Sequence, residues 1–231
     1  MGFGIFFPLF CCAFILFFSS ELSPVNSSIP GKFDGFIYGN NPAREDSIIV
    51  EAFMDPICSD SRDSWEPLKL AFEHYSPSIF LMVHPFPLPY HDNAYVASRA
   101  LHIANQLNSS STFPLLELFF KYQGNYYNTP TEDLSRSSIV SDIAILAANA
   151  VGDNSLSAFK NGFQDPNTDT MTRTSFKYGC SRGVSGAPYF FVNGFLLPDA
   201  GSALSYTQWT AIIQPLLSQQ IAADHLLASD L

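Results

Sequence analysis

The chain has 231 residues, of which 47% are hydrophobic, and its 21 acidic and 11 basic residues give a net charge of −10. This length suits one domain with a sizeable core, and an aromatic-rich composition without low-complexity tracts is typical of a globular protein. An acidic chain without basic clusters repels phosphate backbones, so nucleic acid is excluded as a partner.

The first twenty residues are typical of a secretory leader. Residues 2–18, GFGIFFPLFCCAFILFF, are uncharged and apolar, and the polar stretch SSELSPVNSS follows them. This pattern predicts a signal peptide over residues 1–20, cleavage between 19 and 28, and a mature domain over 29–231. An uncleaved membrane anchor is the alternative, because no Lys or Arg precedes the apolar run and its length approaches that of a membrane span.

The expected compartment is the secretory pathway, with an extracellular or vacuolar destination and the endoplasmic reticulum lumen left open. Two sequons agree with it, Asn26-Ser27-Ser28 and Asn108-Ser109-Ser110, which are candidate glycosylation sites. Removal of the leader would also remove the cysteines at 11 and 12. Cys58 and Cys180 would then be the two remaining cysteines, in an oxidising compartment.

The first elements after the leader alternate between strands and helices. Residues 47–54, SIIVEAFM, predict a central strand buried on both faces, and residues 78–86, SIFLMVHPF, predict a second strand. A helical pattern occupies residues 91–108, and another lies between the strands, with apolar positions at Trp65, Leu68, Phe72 and Tyr75. Such alternation predicts a parallel pair of strands joined by a right-handed crossover.

The middle of the chain, about residues 112–178, has helical periodicity and no strand signal. Thr129, Pro130 and Glu132 have the pattern of a capping box with proline at the first helical position, which predicts a helix start there. We therefore expect an all-helical insertion.

Strand signals return near the end of the chain. Asn193-Gly194 lies between two apolar runs in APYFFVNGFLLP and predicts a hairpin. Ser205 with Gln208 as capping partner predicts a final helix whose apolar face carries Trp209, Ile212, Ile213, Leu216 and Leu217. The whole order predicts an α/β protein with a thioredoxin-type sheet interrupted by helices.

Three segments carry a family resemblance: IIVEAFMDPICSDS, HPFPLPYHDNAYVASRALHIA and GVSGAPYFFVNG. All three resemble segments of the DsbA-like thioredoxin superfamily. The first is similar to its strand-to-helix active-site entry, the second to its second strand and following helix, and the third to its cis-proline loop and hairpin. Together they span about residues 47–218, and plant secretory thioredoxin-like proteins of this group are the most similar. The resemblance implies a thioredoxin fold with a helical insertion, and protein or peptide thiols and disulfides as partners, with glutathione a candidate.

Cys58 is the candidate nucleophile. A cysteine at the first turn of a helix has its thiolate stabilised by unpaired backbone N–H groups, whereas the charges of Asp55 and Asp60 oppose ionisation. The resemblance places Ser61 where relatives have the resolving cysteine. Because a hydroxyl forms no disulfide, we expect a monothiol that depends on an outside thiol rather than an efficient oxidase.

The resemblance implies roles for three further residues. Glu51, seven residues before Cys58, matches a buried acid that relays protons, and burial would raise its pKa; alternatively, it lies at a sheet edge and pairs with a basic residue. Pro188 matches the cis-proline that binds substrate peptides, preceded here by Ala187. The alternative for this loop is a simple turn before an edge strand.

Cys180, eight residues before Pro188, has no counterpart in the family pattern. It is a free buried thiol, a disulfide partner of Cys58, or a remote resolving cysteine, and the residues leave all three open.

No cofactor motif is present, and the histidines at 74, 84 and 91 have no metal-ligand spacing, so neither a cofactor nor a metal site is expected. Three functions therefore compete. The first is a thiol–disulfide oxidoreductase or monothiol isomerase acting through Cys58. The others are a non-catalytic peptide-binding protein with a degenerate site, and a scaffold closed by a Cys58–Cys180 disulfide.

Overall fold

A computed structural model describes Met1 and residues 32–39, 43–44, 46–152, 155–198 and 201–229, with side chains described as far as residue 222. The chain divides into a unit Met1–Phe33 and a unit Asp34–Leu231. Apart from Met1, the predicted signal peptide, its cleavage region and the Asn26 sequon lie outside the described residues. No helix within the described ranges is long and apolar enough to cross a membrane.

All the regular elements described belong to the second unit. In chain order they are β1 (Phe36–Tyr38), β2 (Ile48–Met54), α1 (Ser59–Tyr75), β3 (Ile79–Pro85), α2 (Ala94–Leu107), α3 (Thr112–Tyr122), α4 (Asn128–Thr131), α5 (Arg136–Val151), α6 (Leu156–Gly162), α7 (Pro166–Ser181), β4 (Tyr189–Val192), β5 (Phe195–Leu196) and α8 (Tyr206–Ser229). Short 3₁₀ turns at Ser109–Ser111 and Gln123–Tyr126 connect the helices around α3.

The described strands form one mixed sheet in the order β1-β3-β2-β4-β5. β2 and β3 run parallel, with Val50 opposite Leu81, and β4 lies antiparallel to β2 with Phe191 opposite Glu51. The parallel pair connected by α1 is therefore confirmed. From Thr112 to Ser181 every regular element described is helical, and this block precedes the returning strands.

Strand β1 was not predicted. It pairs antiparallel with β3 at the sheet edge, Phe36 opposite Val83 and Tyr38 opposite Leu81. A run of three residues is too short to show alternation, so its strand conformation comes from its partner rather than from local pattern. Gly35 before it passes so close to β3 that a Cβ there would lie 2.7 Å from the His84 ring.

The core lies on both sides of this sheet and confirms the predicted faces of α1 and α8. Trp65, Leu68, Phe72 and Tyr75 of α1 are all buried. In α8, Trp209 and Ile213 are fully buried, and the Trp209 ring packs edge-on against Phe190 at 5.1 Å. The remaining predicted positions on that face, Ile212, Leu216 and Leu217, are partly buried against the core.

The hairpin between β4 and β5 is confirmed. Asn193 and Gly194 both have positive φ, 49° and 83°, as a two-residue type I′ turn requires. The Asn193 Oδ1 also accepts a hydrogen bond from the Ile49 N–H at 2.9 Å, and the Asn193 N–H donates to the Ile49 carbonyl at 2.8 Å. The turn is thereby attached to the central strand.

One of the two predicted capping boxes is right and the other is wrong. The Ser205 Oγ accepts from the Gln208 N–H, and the Gln208 Oε1 accepts from the Ser205 N–H. Thr129, in contrast, lies inside the single turn α4, and the longer helix α5 is capped by Ser135 instead. The α4 turn also has a tertiary contact, because Asn93 Nδ2 donates to Thr131 Oγ1 at 2.8 Å.

Candidate functional site

Cys58 occupies the N-cap of α1, directly after the turn that follows β2. Its carbonyl accepts hydrogen bonds from the Arg62 N–H at 3.1 Å and from Gln123 Nε2 at 3.2 Å. The side chain is 5% exposed. It packs in an apolar cluster with Phe53, Phe86, Leu88, Val184, Ala187 and Phe191, which we call the Cys58 cluster.

The structure brings Cys58 to the loop that precedes β4. The Cys58 thiol donates to the Ala187 carbonyl, with 3.4 Å between Sγ and O, and the Ala187–Pro188 peptide bond is cis. The Pro188 carbonyl accepts from the Gly201 N–H at 2.8 Å. Since β4 lies inside the sheet between β2 and β5, the alternative of a simple turn before an edge strand is wrong.

The pKa of the Cys58 thiol is raised above its ordinary value. Burial of the sulfur is the largest cause, and the charge of Asp55 acts in the same direction. The backbone amides of Ser61 and Asp60 and the Ser61 hydroxyl oppose the rise. The helix N-terminus thus stabilises the thiolate as expected, but burial outweighs it, and the resting state is the protonated thiol.

Ser61 faces the turn before the helix. It is fully buried, and its Oγ accepts a hydrogen bond from the Asp55 N–H at 3.2 Å. Its hydroxyl therefore contributes to the Cys58 environment and closes the β2–α1 turn as well.

Asp55 is the main site residue that the sequence did not single out, having been considered only for its charge. It is fully buried. Its Oδ1 accepts from the Ile57 N–H at 2.8 Å, and its Oδ2 accepts from the Leu88 N–H at 3.0 Å and lies 2.8 Å from His91 Nδ1. Asp55 thus joins the Cys58 turn to the connection between β3 and α2. The signal in the sequence that could have identified Asp55 is an acidic residue at the end of a strand, directly before Pro-X-Cys.

A pocket of about 300 Å³ opens beside the Cys58 turn. Ile57 and Ser59 flank the cysteine in sequence, and His91 forms part of the same wall. Tyr127 and Asn128, from the segment leading into α4, complete the lining. The helical block therefore supplies one side of a cleft next to the nucleophile.

Glu51 lies on the central strand β2 and is buried, but its partners differ from those expected. Its Oε1 accepts from the Tyr178 hydroxyl at 2.8 Å and from Arg182 Nη1 at 3.0 Å, and lies 3.5 Å from His84 Nε2. Burial alone would raise its pKa, but the nearby His84 ring and the hydrogen bonds from Tyr178 and Arg182 outweigh burial and lower it to about 2. The prediction of a raised pKa is wrong because these donors stabilise the carboxylate. The sheet-edge position is wrong too, although the expected basic partner is present.

His84 extends this network away from the cysteine. Its Nδ1 lies 2.9 Å from Asp34 Oδ2, and Asp34 Oδ1 accepts from the Ser175 hydroxyl at 2.7 Å. Burial lowers the pKa of His84, but Asp34 and Glu51 outweigh it, so the pKa is raised. Phe53, a member of the Cys58 cluster, stacks on the His84 ring at 4.5 Å. We call Asp34, His84, Glu51, Tyr178 and Arg182 the buried ion network.

The comparison with known proteins rests on solved structures, because no family model and no curated protein matches the sequence. A candidate protein-disulfide isomerase from Pseudomonas syringae has a TM-score of 0.64 and 19% identity, covering 78% of this chain and 98% of its own. The thiol-disulfide exchange protein α-DsbA2 from Wolbachia pipientis has a TM-score of 0.58 and 16% identity, covering 80% and 87%. A thioredoxin-like oxidoreductase from Silicibacter pomeroyi has a TM-score of 0.57 and 17% identity, covering 80% and 91%.

The chain has a DsbA-like thioredoxin fold. This confirms the predicted α/β class, with a helical insertion in a thioredoxin-type sheet. At such identities the likeness shows the fold alone, so what the chain does must be argued from its own site residues.

Cys58 and Cys180 are both free thiols in the structure, and the disulfide between them is not formed. Cys180 is exposed rather than buried. The neighbouring Gly179 faces the Cys58 cluster, as Phe176 and Tyr178 of the same helix do, since a Cβ at 179 would lie 2.6 Å from the Phe86 ring. Successive helical positions are about 100° apart, which turns Cys180 toward solvent.

The second sequon lies on the surface. Asn108 is exposed at the end of α2, and its Oδ1 accepts from the Ser110 N–H at 3.2 Å and from the Ser110 hydroxyl at 2.7 Å. Its exposure is compatible with glycosylation, which stays a prediction.

Proposed function

We propose that this protein is a monothiol thiol–disulfide exchange protein that acts through Cys58 on protein or peptide disulfides. The observation that carries the proposal is the place of the sulfur, at the N-cap of α1 and 3.4 Å from the Ala187 carbonyl. Ser61 stands in the first turn of the same helix, and the Ala187-Pro188 loop offers backbone groups beside the sulfur for an extended substrate.

The reaction proceeds in two exchanges. The Cys58 thiolate attacks one sulfur of a substrate disulfide, the Cys58–substrate bond forms, and the other substrate sulfur leaves as a thiolate that takes a proton from water. A second thiol, from the substrate or from glutathione, then attacks this mixed disulfide and releases Cys58. Over the two exchanges one disulfide and one thiol are consumed and one of each is formed, so the protein undergoes no net oxidation or reduction. Isomerisation fits this balance, since Ser61 cannot form a disulfide with Cys58.

Glu51 supports the proposal less than its position in the sequence suggested. A carboxyl whose pKa is about 2 remains ionised near neutral pH, so it is a poor proton donor in either exchange. We assign Glu51 to the buried ion network and leave proton transfer to water and to the substrate thiols.

The test is incubation of the native full chain with glutathione disulfide, followed by peptide mass spectrometry without reduction. We expect a mixed disulfide on the Cys58 peptide, lost in Cys58→Ser and retained in Cys180→Ser. Because Cys180 is exposed, it reports the reactivity of an ordinary surface thiol in the same sample. Modification at Cys180 alone would overturn the proposal, and a Cys58–Cys180 peptide would establish the scaffold alternative.

A second candidate function is peptide binding without redox turnover. The low exposure of Cys58 and the raised pKa of its thiol favour it, because both slow attack on a disulfide. Insulin reduction by the wild type and by Ser61→Cys separates the two functions. Activity that appears only in the variant supports the binding function, whereas mixed-disulfide formation by the wild type supports exchange.

The proposed compartment is the secretory pathway, as for the plant secretory proteins that the sequence resembles, with an extracellular or vacuolar destination or residence in the endoplasmic reticulum lumen. The apolar N-terminal segment supports it. Expression of the full chain in eukaryotic cells should yield an N-terminus between residues 19 and 28, and endoglycosidase should shift the mobility of the wild type but not of Asn26→Gln/Asn108→Gln. An intact N-terminus on the mature protein would favour the anchor.

A further inference from the structure

We propose that the buried Asp55–His91 pair positions the Cys58 turn and, through its charge, modulates how readily the thiol reacts. The inference deepens the proposed function, on which its biological meaning rests. Its test, however, measures the thiol itself and needs no disulfide substrate.

Asp55 is bound to the reactive turn from both its side chain and its backbone. Its carbonyl accepts from the Cys58 N–H at 3.1 Å, and its N–H donates to Ser61 Oγ at 3.2 Å. Its carboxylate accepts from the Ile57 N–H at 2.8 Å. Asp55 therefore holds the residue before the cysteine, the cysteine itself and the serine of the first helical turn.

The same carboxylate reaches across to a second segment. Its Oδ2 accepts from the Leu88 N–H and is paired with His91 Nδ1 at 2.8 Å. Asp55 has no exposed surface, whereas the His91 side chain is 24% exposed and lines the pocket beside the turn. A buried carboxylate needs such donors to offset lost hydration, and His91 is the one donor among them that can carry a full charge and reach solvent.

The charge of this pair acts on the sulfur. The Asp55 carboxylate raises the pKa of the Cys58 thiol, after the larger effect of burial. One other titratable group near the turn is Tyr90, whose pKa is raised by burial and by the Cys58, Asp55 and Asp60 charges. Asp60 and Arg62 lie in the first turn of α1, and Tyr127 lies in the pocket wall. Asp60 acts on Cys58 through its backbone amide and in the opposite direction, so its carboxyl provides a matched comparison.

The consequence is a thiol whose reactivity depends on the net charge of two residues. With Asp55 uncompensated, a negative charge near the sulfur disfavours the thiolate. A positive charge at position 91 offsets that effect, because opposite charges a few ångströms apart largely cancel at a third group. The pair thus links the pocket wall to the nucleophile without touching the sulfur.

The experiment is the pH dependence of iodoacetamide alkylation in the full chain, with the Cys58 peptide followed by mass spectrometry so that the other cysteines do not interfere. We expect Asp55→Asn to lower the midpoint and to raise the alkylation rate at neutral pH by about three- to tenfold. His91→Lys, which keeps a positive charge beside Asp55, should shift the midpoint downward relative to His91→Gln. Asp60→Asn should lower it less than Asp55→Asn does, because Asp60 is exposed and its charge is screened by solvent.

An unchanged or higher midpoint in folded Asp55→Asn would overturn the proposal, as would an equal downward shift in Asp60→Asn. If Asp55→Asn does not fold, as judged by circular dichroism, the pair His91→Lys and His91→Gln decides, and equal midpoints overturn the proposal. Should the midpoints shift as expected while glutathione disulfide leaves Cys58 unmodified, the proposed function fails and this inference stands.

Discussion

Two buried acids, Glu51 in the middle of β2 and Asp55 directly after it, show how differently one sheet can use a carboxylate. Glu51 accepts from Arg182 and Tyr178 and lies next to His84, while Asp55 accepts mainly from backbone N–H groups and His91. Phe53 contacts both regions, as a member of the Cys58 cluster and by stacking on His84. The comparison teaches that the donors around a buried acid, rather than its distance in sequence from the cysteine, decide whether it serves the fold or the site.

Removal of Glu51 should have the largest effect on stability and little effect on the thiol. Glu51→Ala leaves the half-buried Arg182 without its acceptor and the buried His84 without one of its two nearby carboxylates, and breaking a buried pair costs about 3–5 kcal/mol. Urea denaturation measures the free energy of unfolding, and Cys58 alkylation measures the site. Glu73→Gln, on an exposed position, is the control and should change stability by less than about 0.5 kcal/mol. A large change in the pH midpoint of Cys58 alkylation would contradict the separation, because it would show that the buried ion network and the Cys58 site are coupled.

Acid should weaken the buried ion network by protonating Glu51. Because the pKa of Glu51 is lowered from 4.5 to about 2 in the folded protein, its contribution is present above pH 4.5 and is lost as the pH falls toward 2, on the order of 3 kcal/mol in total. The raised pKa of His84 acts in the opposite direction, and its contribution is lost as the pH rises through its folded value. Unfolding free energies measured across pH should show a smaller acid loss in Glu51→Gln than in the wild type, and equal losses would contradict the assignment.

A methyl group at Gly179 should disturb the Cys58 cluster. A Cβ at this position would lie 2.6 Å from the Phe86 ring, and overpacking of this kind destabilises by about 1–3 kcal/mol. We expect Gly179→Ala to lower the urea midpoint and to change the Cys58 alkylation rate. Gly124→Ala is the matched control, since nothing lies within 4 Å of its added Cβ. An unchanged alkylation rate would show that the cluster tolerates movement of Phe86.

A change remote from both acids should affect stability by the smallest amount and the thiol not at all. Ser205→Ala removes the Oγ that accepts from the Gln208 N–H at the start of α8, which costs about 1 kcal/mol. Thr129→Ala should cost less, because Thr129 caps no helix. Thermal unfolding of both variants measures the difference. Equal losses would mean that the Ser205 cap contributes nothing of its own.

Local pattern was sufficient where the periodicity was long or the turn chemistry strong. The run at 47–54, the apolar face of α1, the Asn193-Gly194 turn and the Ser205 cap all depend on residues close in sequence, and all are confirmed. The place of Cys58 at a helix start, in contrast, was predicted from the family resemblance of three segments, and it is confirmed. The Thr129 capping box had an equally good pattern, but the helix at this position is a single turn, Asn128–Thr131, whose N-cap is Tyr127.

The sequence by itself thus determined the order of the predicted strands and helices, because these depend on periodicity and turn residues within one segment, and the family resemblance added the place of Cys58 at a helix start. Only the tertiary structure decided that β1 pairs with β3, that Cys180 faces solvent, and that Glu51 is bound by Arg182 while Asp55 is bound by His91. Each of these outcomes joins segments distant in sequence. The physical reason is that a pKa, a hydrogen bond or a buried charge depends on the groups that folding brings together, which no single segment contains.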